Sequence, residues 1–234
     1  MSLISRQFNN LLDRVVDWHL ARKKERQSQL DSKKEEINKR INEEKQTIRD
    51  AEAGLERQLI AEYLLIDSNI WMDGDYDKFF NFLLCLLKKK EIILEMPNIQ
   101  FDEIVNLKNR MPFHDPKNKR ARLAINRLEN FQKEKRLKIV PLQLQAAKGA
   151  YADPELLKIL LHLGKERESL IFISNDKELR IRARQLVEME CKTQFVALGD
   201  SDIQAPFFAI SSARRKICEA EKDAKKLQEE LANC

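Results

Sequence analysis

The sequence contains few of the residues that mark flexible linkers or histidine-based sites. Five Gly and six Pro in 234 residues argue against long disordered segments. The three histidines, His19, His114 and His162, are scattered along the chain. A histidine metal site or a Ser-His-Asp triad therefore has little support, although His114 lies in a basic loop from which it can touch a ligand.

Cysteines in metal-binding patterns and long apolar runs are also lacking. The four cysteines share neither CxxC nor any other metal-ligand spacing: they are Cys85, Cys191, Cys218 and Cys234. We expect reduced thiols in a cytoplasmic protein. Because no run of 18 or more apolar residues and no apolar signal segment occurs, we expect neither secretion nor membrane contact.

Charge is what the chain has in excess. Charged residues make up 35% of the sequence, against about a quarter in a typical domain, and part of the chain is therefore predicted to be solvated helix. The formal net charge is only +5. The distribution of the basic residues is consequently more informative than their total.

Residues 1–60 are predicted to form a helical arm. They contain no proline, a single glycine and many Lys, Arg, Glu and Gln residues, all of which favour helix. Ile41, Ile48 and Leu55 are seven residues apart and form a short heptad seam, with Glu44 where an apolar d residue belongs. Two interpretations stay open: an arm packed against its own domain, and a dimerising coiled coil that recruits a second copy or another protein.

From residue 61 the chain alternates between predicted strands and helices. The strands are expected over 62–67, 91–96, 137–140, 170–174 and 193–197, and the helices over 78–88, 100–107, 121–135, 154–164 and 177–190. This alternation predicts an α/β domain over 61–205, with a mostly parallel central sheet flanked by helices. A C-terminal tail, 206–234, is predicted to be helical from about 211 to 231, with an antiparallel run along the arm as one arrangement open to it.

Two of the apolar strands end in an aspartate. Asp67 follows the first strand, and Asp176 follows the run Leu170–Ile173 after Ser174 and Asn175. A carboxylate just beyond the C-terminal end of a parallel strand lies where open α/β sheets bind ligands. Two such charges in one crevice repel each other unless they share a cation or a proton. The pair therefore predicts a site for a divalent metal.

Four acidic segments in this region carry a family resemblance. They are Asp67-Ser68-Asn69, Asp102-Glu103-Ile104-Val105, Asp153-Pro154-Glu155-Leu156 and Ser174-Asn175-Asp176-Lys177. In order and approximate spacing they resemble the four acidic motifs of the PIN-domain nucleases, over about residues 61–200. The resemblance implies a PIN-like fold and a metal-dependent phosphodiesterase, most often acting on RNA.

The resemblance also implies a set of site residues. The catalytic metal ligands would be Asp67, Glu103, Asp153 and Asp176, holding Mg²⁺ or Mn²⁺. Two such ions, ~3.5–4 Å apart, serve the attacking and the leaving oxygen in phosphodiester hydrolysis, and these hard cations prefer oxygen ligands. Asn69, Ser174 and Asn175 would support the ligands or touch the phosphate.

Simpler roles compete for some of these acidic residues. Asp102 is adjacent to Glu103 and competes for its position, and Asp153 and Asp176 are both placed to cap a helix. Asp200 and Asp202 follow the last predicted strand, where a turn is favoured over a further ligand. A calcium loop at Asp73, Asp75 and Asp77 is rejected, because the required Gly and closing Glu are missing.

Substrate binding has a signal of its own. Residues 104–140 contain eleven Lys or Arg and three acidic residues, a local net charge of +8. A basic segment beside an acidic metal site suits the backbone of a nucleic acid, with RNA favoured over DNA. Phe113 and His114, in the loop of this segment, are candidates for stacking on a base. The predicted nucleic-acid contacts are Lys108, Arg110, Lys117, Lys119, Arg120 and Arg122, together with Arg180 from a second basic cluster.

Three readings of function remain. The leading one is a nuclease that cuts single-stranded RNA by a two-metal mechanism with water as the nucleophile. A haloacid-dehalogenase or receiver-type phosphotransfer domain using Asp67 is disfavoured, because Asn69 stands where the first needs an Asp and the acidic residues of the second are not evident. The third is a catalytically silent PIN-like scaffold that binds RNA or protein through its basic loop and arm.

Overall fold

The computed structural model describes residues 3–141 and 152–232, without the side chains of residues 3–13, 15, 152 and 153. The helices are α1 (Leu3–Leu59), α2 (Ser68–Met72), α3 (Asp77–Lys90), α4 (Asn98–Arg110), α5 (Pro116–Lys133), α6 (Ala152–Glu166), α7 (Lys177–Glu190) and α8 (Asp200–Ala232). The strands are β1 (Tyr63–Ile66), β2 (Leu94–Pro97), β3 (Leu137–Val140), β4 (Ser169–Ile173) and β5 (Gln194–Leu198), and Gly74–Tyr76 is a short 3₁₀ turn. The chain forms two compact units, 1–51 with 209–234, and 52–208.

The first unit combines the main part of α1 with the end of α8. Along α1, Leu30 is buried and Ile37, Ile41 and Ile48 are half-buried. Along α8, the small or apolar residues recur at alternating spacings of three and four, which is the heptad pattern of paired helices; they are Ala213, Ile217, Ala220, Ala224, Leu227 and Leu231. Glu44, the polar residue in the seam, forms an ion pair with Lys216 of α8, with 2.8 Å between Oε1 and Nζ. At Glu44, the arm therefore has an ion-pair partner within the same chain.

The N-terminal part of α1 has no such cover. From Arg14 to Gln29, every described side chain is exposed, including those of Val16, Trp18 and Leu20. No helix in the described part of the chain has the length and apolar character needed to cross a bilayer.

The second unit is an α/β fold of parallel strands between helices. β4 lies between β1 and β5, and all three strands run parallel. All four residues of β1, and Leu170–Ile173 of β4, are buried, as expected for strands covered on both faces. The predicted fold class, with its long N-terminal helix and its C-terminal helix, is confirmed. The proposed domain boundaries themselves stay a prediction.

The strands differ from the expected single sheet in one respect. β2 and β3 form a separate parallel pair, so that the described strands make one three-stranded and one two-stranded sheet. Between β1 and β2, the Tyr63 hydroxyl donates to the Glu95 carbonyl oxygen at 3.4 Å. This side-chain bond connects the two strands, which belong to different sheets.

Two element boundaries differ from the prediction because of local capping. The second strand begins at Leu94, since Glu91 ends α3 in the left-handed conformation with φ of 57°, a common helix ending. Helix α5 begins at Pro116, five residues before its predicted start. There the Asp115 carboxylate accepts a bond from the Lys117 N–H at 2.7 Å and proline occupies the first helical position, which favours helix initiation.

Arg127 belongs to the core and not to the basic surface. Its side chain is buried, lies over the Phe80 ring with 4.6 Å to the centroid, and donates from Nη1 to the Trp71 and Asp73 carbonyl oxygens at 2.7 and 2.8 Å. Its Nη2 pairs with Asp77. One of the eleven basic residues counted in the segment 104–140 is therefore unavailable to a substrate.

Candidate metal centre and nucleic-acid surface

Asp67 lies at the centre of the candidate site. Ile66 of β1 is opposite Ile173 of β4, so that Asp67 and Ser174 leave the sheet at the same edge. The Asp67 N–H donates to the Ile173 carbonyl oxygen at 2.9 Å. The Asp67 side chain is 4% exposed and caps α2 by accepting from the Asn69 N–H at 3.4 Å.

Two serine hydroxyls lie against the Asp67 carboxylate, one at each oxygen. Ser174 Oγ is fully buried and donates to Oδ2 at 2.7 Å, while accepting from the Asp176 N–H at 3.0 Å. Ser68 Oγ lies 3.3 Å from Oδ1. A buried carboxylate needs such donors to offset the loss of its hydration. The two serines therefore hold the Asp67 carboxylate in one orientation.

Glu103 meets Asp67 through Ser68. The Ser68 hydroxyl is 2.8 Å from Glu103 Oε2 and so lies between two carboxylates. A hydroxyl carries a single proton, and it cannot donate to both acids at once. Two carboxylates arranged in this way are stabilised by a shared cation.

A small cavity lies beside this pair of carboxylates. It has a volume of about 30 Å³ and is lined by Asp67, Ser68, Asn69, Ile99, Gln100, Glu103 and Leu156. Gln100 donates from Nε2 to the Ile66 carbonyl oxygen at 3.1 Å. Its Oε1 is buried and has no hydrogen-bond partner within the described residues. A polar cavity of this size can hold a water molecule.

The oxygen atoms around the cavity fit a hard cation that keeps part of its hydration shell. Mg²⁺ is typically bound by one or two carboxylates and completes its shell with water, and the carboxylates of Asp67 and Glu103 match that requirement. Among the side chains that the structure describes, which do not include that of Asp153, no three Asp, Glu, His or Cys residues cluster closely enough to hold a metal ion by themselves.

Asp176 and Asp153 are the other two predicted ligands. Asp176 is exposed, and its Oδ1 accepts from the Leu179 N–H at 2.9 Å as the cap of α7. Asp153 falls at the start of α6, and its side chain lies outside the described residues. Nearby on α6, Glu155 is buried and pairs with Lys158 at 3.1 Å.

A family model for the PIN domain matches residues 64–190. The chain belongs to the PIN-domain family. The match includes Asp67, Glu103, Asp153 and Asp176, and PIN domains in general are nucleases that use divalent metals. Comparison with curated proteins gave no significant match.

In this PIN domain, Asn69 and Asn175 are both exposed. Asn175 Oδ1 is 2.5 Å from the Tyr76 hydroxyl, which also lies 2.8 Å from Asp200 Oδ1. Burial, together with the Asp200 carboxylate, raises the pKa of Tyr76 well above its ordinary value. The hydroxyl carries a single proton and donates it to one of the two oxygens at a time. Tyr76 therefore lies between Asn175 and Asp200, which follow the ends of β4 and β5.

Asp200 and Asp202 begin α8 rather than forming a turn. Asp202 Oδ2 accepts from the Gly199 N–H at 2.8 Å, a side-chain bond back to the residue before the helix that favours initiation. The C-terminal helix consequently starts eleven residues before its predicted beginning at 211 and includes Pro206.

Arg180 supports the loop that carries Ser174. Its Nη1 donates to the Ser174 carbonyl oxygen at 2.5 Å, and its guanidinium carbon lies 2.7 Å from the position that a Cβ on residue 199 would take. Only glycine at position 199 leaves the guanidinium in this place. Arg180 therefore has a structural role. Its predicted contact with nucleic acid stays a prediction.

The other predicted nucleic-acid contacts lie on α4, on α5 and in the loop between them. Arg110, Lys117, Lys119, Arg120 and Arg122 are exposed, and Lys108 is half-buried. In the part of the chain that the structure describes, no ion pair involves these six side chains. Their charges are therefore not neutralised by acidic neighbours within that part.

Sequence reasoning missed Ser68 and Gln100 as members of the site. Ser68 follows Asp67 in the first acidic segment, and this position places it in the first turn of α2, but no function was predicted for its side chain. Gln100 precedes Glu103 by three residues, and residues three apart lie on the same face of a helix. That spacing was a usable signal.

The capping role of Asp176 can be separated from metal binding by substitution. Serine is as good a helix cap as aspartate, so Asp176→Ser should leave the free energy of unfolding nearly unchanged, whereas Asp176→Ala should lower it by about 1 kcal/mol. If the carboxylate also binds metal, both variants lose cleavage activity to a similar degree. Urea unfolding measures the effect on stability, and a cleavage assay measures the effect on activity. A fully active Asp176→Ser variant would show that Asp176 caps the helix and does not bind metal.

Proposed function

We propose that this PIN domain hydrolyses phosphodiester bonds in single-stranded RNA, with water as the nucleophile and two Mg²⁺ or Mn²⁺ ions as cofactors. The observation that supports this proposal is the meeting of Asp67 and Glu103 at the Ser68 hydroxyl, beside a small cavity that both residues line.

The ions would be held by Asp67 and Glu103, with Asp153 and Asp176 as further ligands. When bound, such ions supply Lewis acidity at phosphoryl oxygens and lower the pKa of coordinated water. The remaining work belongs to the chain. Ser174 and Ser68 orient the Asp67 carboxylate.

The substrate would be held through its phosphates. Six basic side chains of α4, α5 and their loop carry no ion pair in the described residues, and Glu103 lies on α4 with Lys108 and Arg110 following it. Contacts to phosphate supply affinity that is independent of sequence and falls as salt concentration rises. We therefore expect weaker RNA binding in higher salt.

The experiment that tests the function uses labelled single-stranded RNA and DNA with Mg²⁺, Mn²⁺ or EDTA. We expect RNA to be cleaved in either metal and to remain intact in EDTA. Cleavage that persists in EDTA would contradict the metal dependence. Binding without cleavage in every metal would instead favour the silent scaffold.

We further propose that the exposed N-terminal part of α1 joins two copies of the chain. Since the described side chains from Arg14 to Gln29 are exposed, those around Val16, Trp18 and Leu20 are the part of the arm that is available for a partner. We also propose a cytoplasmic location, because the three described cysteines are unpaired thiols.

Deletion of residues 1–28 tests the arm. We expect the mass in solution to fall from that of an oligomer to that of a monomer, with RNA cleavage retained, because the deletion leaves Leu30 and the seam in place. Light scattering coupled to size exclusion measures the mass. An unchanged mass would contradict self-association, and a full-length monomer would point to a different protein as the partner.

A further inference from the structure

We propose that Phe113, supported by Arg122, is a stacking platform for an unpaired base of single-stranded nucleic acid. The inference rests on the proposed function for its substrate class and adds a specific contact to it. The platform lies in the loop between α4 and α5, beyond the end of the helix that carries Glu103.

The Phe113 ring is exposed and supported on one side. It is 59% exposed, and the Arg122 guanidinium carbon lies over the ring, 3.8 Å from its centroid. His114 meets the ring edge-on, with centroids 5.3 Å apart. A cation at this distance attracts the ring and fixes its orientation. An exposed aromatic ring held in this way can take a base against its remaining surface.

The loop backbone is held in place before any ligand arrives. Asn118 is buried and donates from Nδ2 to the Lys108 and Met111 carbonyl oxygens at 2.6 and 2.8 Å. The Asp115 N–H donates to the Pro112 carbonyl oxygen at 2.9 Å, and its carboxylate caps α5. A loop that is already ordered loses little further conformational entropy on binding.

The surrounding charge selects a nucleic acid as the ligand. Arg110, Lys117, Lys119 and Arg120 are exposed within a few residues of Phe113. Phosphate-binding cations combined with an aromatic ring are the usual composition of single-strand binding surfaces, in which the ring stacks on a base and the cations follow the backbone. An apolar protein partner would not require this density of unpaired cations.

The platform is within reach of the candidate metal centre along the same helix. Glu103 and Arg110 are seven residues apart on α4, which corresponds to roughly 10 Å along the helix axis. That length is about three stacked nucleotides at ~3.4 Å each. A strand with a phosphate at Glu103 can therefore place a nearby base at the loop.

The platform predicts a preference for single strands. Both faces of a base in a duplex are covered by neighbouring bases, and exposing one requires unstacking. Substitutions at Phe113 should consequently weaken the binding of single-stranded RNA or DNA and leave any duplex binding unchanged.

The test measures binding of a labelled single-stranded RNA by fluorescence anisotropy in EDTA, which prevents metal-dependent cleavage. Phe113→Ala should raise Kd by about tenfold, the range expected for loss of one stacked base, and Phe113→Tyr should retain the wild-type affinity. Phe208→Ala is the matched control, because Phe208 is 78% exposed and lies outside the basic segment. It should not change Kd.

An abasic strand of equal length separates stacking from backbone contact. Wild type and Phe113→Ala should bind it with equal affinity. An unchanged Kd for Phe113→Ala on the normal strand, or an equal loss on the abasic strand, would overturn the platform. Cleavage by the wild type is measured separately with Mn²⁺. If the wild type cleaves RNA but Phe113→Ala does not change Kd, the platform alone is rejected. If binding depends on Phe113 but the wild type does not cleave, catalysis alone is rejected.

Discussion

Replacing Asp67 with asparagine is expected to slow metal-dependent RNA cleavage by about three orders of magnitude. A metal ion contributes several kcal/mol of charge stabilisation in the transition state, and each ~1.4 kcal/mol corresponds to a factor of ten in rate. Asp67 is the carboxylate nearest the centre of the site, since both of its oxygens contact serine hydroxyls and one of those serines bonds Glu103. Its loss should therefore remove most of the metal-dependent rate.

The same substitution should preserve the fold. From the sequence, we expect Asp67→Asn to maintain or raise thermal stability without metal, because it relieves repulsion between carboxylates. The structure adds an opposing effect: the Ser174 hydroxyl and the Asn69 N–H both donate to the charged carboxylate. Asparagine keeps an acceptor for one donor and caps helices as well as aspartate does. We expect the free energy of unfolding to change by less than about 2 kcal/mol.

Two measurements complete this prediction. Single-turnover cleavage in Mn²⁺ reports the rate, and thermal unfolding with and without Mn²⁺ reports binding, because a ligand that binds only the folded state raises its stability. The wild-type Tm should rise with Mn²⁺, and that of Asp67→Asn should not. A variant that cleaves at the wild-type rate, or one that fails to fold without metal, would contradict the assigned role.

Glu103→Gln is expected to lower the cleavage rate by about two orders of magnitude, while Asp102→Asn leaves it unchanged. The two residues are adjacent on α4, and each substitution removes one negative charge. Glu103 is half-buried and lies 2.8 Å from Ser68, whereas Asp102 is exposed to solvent. Removal of a single group that stabilises transition-state charge, such as one oxyanion-hole donor, costs about 10²–10³ in rate, and an exposed charge away from the reacting centre is screened by water and salt.

The matched pair separates position from charge. Equal losses in both variants would show that the net negative charge of the region matters and not a particular carboxylate. A loss of cleavage activity in Asp102→Asn alone would show that Asp102, and not Glu103, is the carboxylate that the reaction needs. Cleavage rates are compared at one salt concentration, since salt alters the phosphate contacts of every variant.

Local patterns in the sequence were sufficient for much of the fold. The apolar strand runs, the helical periodicity between them and the polar arm depend on neighbouring residues, and they predicted the α/β class and the two terminal helices. Two boundary errors occurred where a single capping interaction shifts the start of a helix. Asp115 begins α5 early and Asp202 begins α8 early, and neither bond is visible in a pattern of apolar residues.

Contacts between distant residues were the part that the sequence could not supply. Arg127 is a charged residue of the kind expected at the surface. Only the packing of α5 against α2 and α3 places its side chain in the core, where it donates hydrogen bonds to the Trp71 and Asp73 carbonyl oxygens. Ser68 and Gln100 belong to the site because α4 packs beside the end of β1. The order of these elements in the chain does not specify how their side chains meet.

By itself, the sequence determined that β1 and β4 are buried strands and that polar side chains follow them, because apolar runs that end in Asp67 and Ser174 indicate parallel strands that leave the sheet at one edge. The tertiary structure decided which of them touch. Asp67 and Glu103 are thirty-six residues apart in the chain, and their meeting at the Ser68 hydroxyl depends on helix packing, which is governed by the volume and shape of buried side chains rather than by local periodicity. The exposure of Phe113 against Arg122 was decided in the same way, by the loop that Asn118 holds in place.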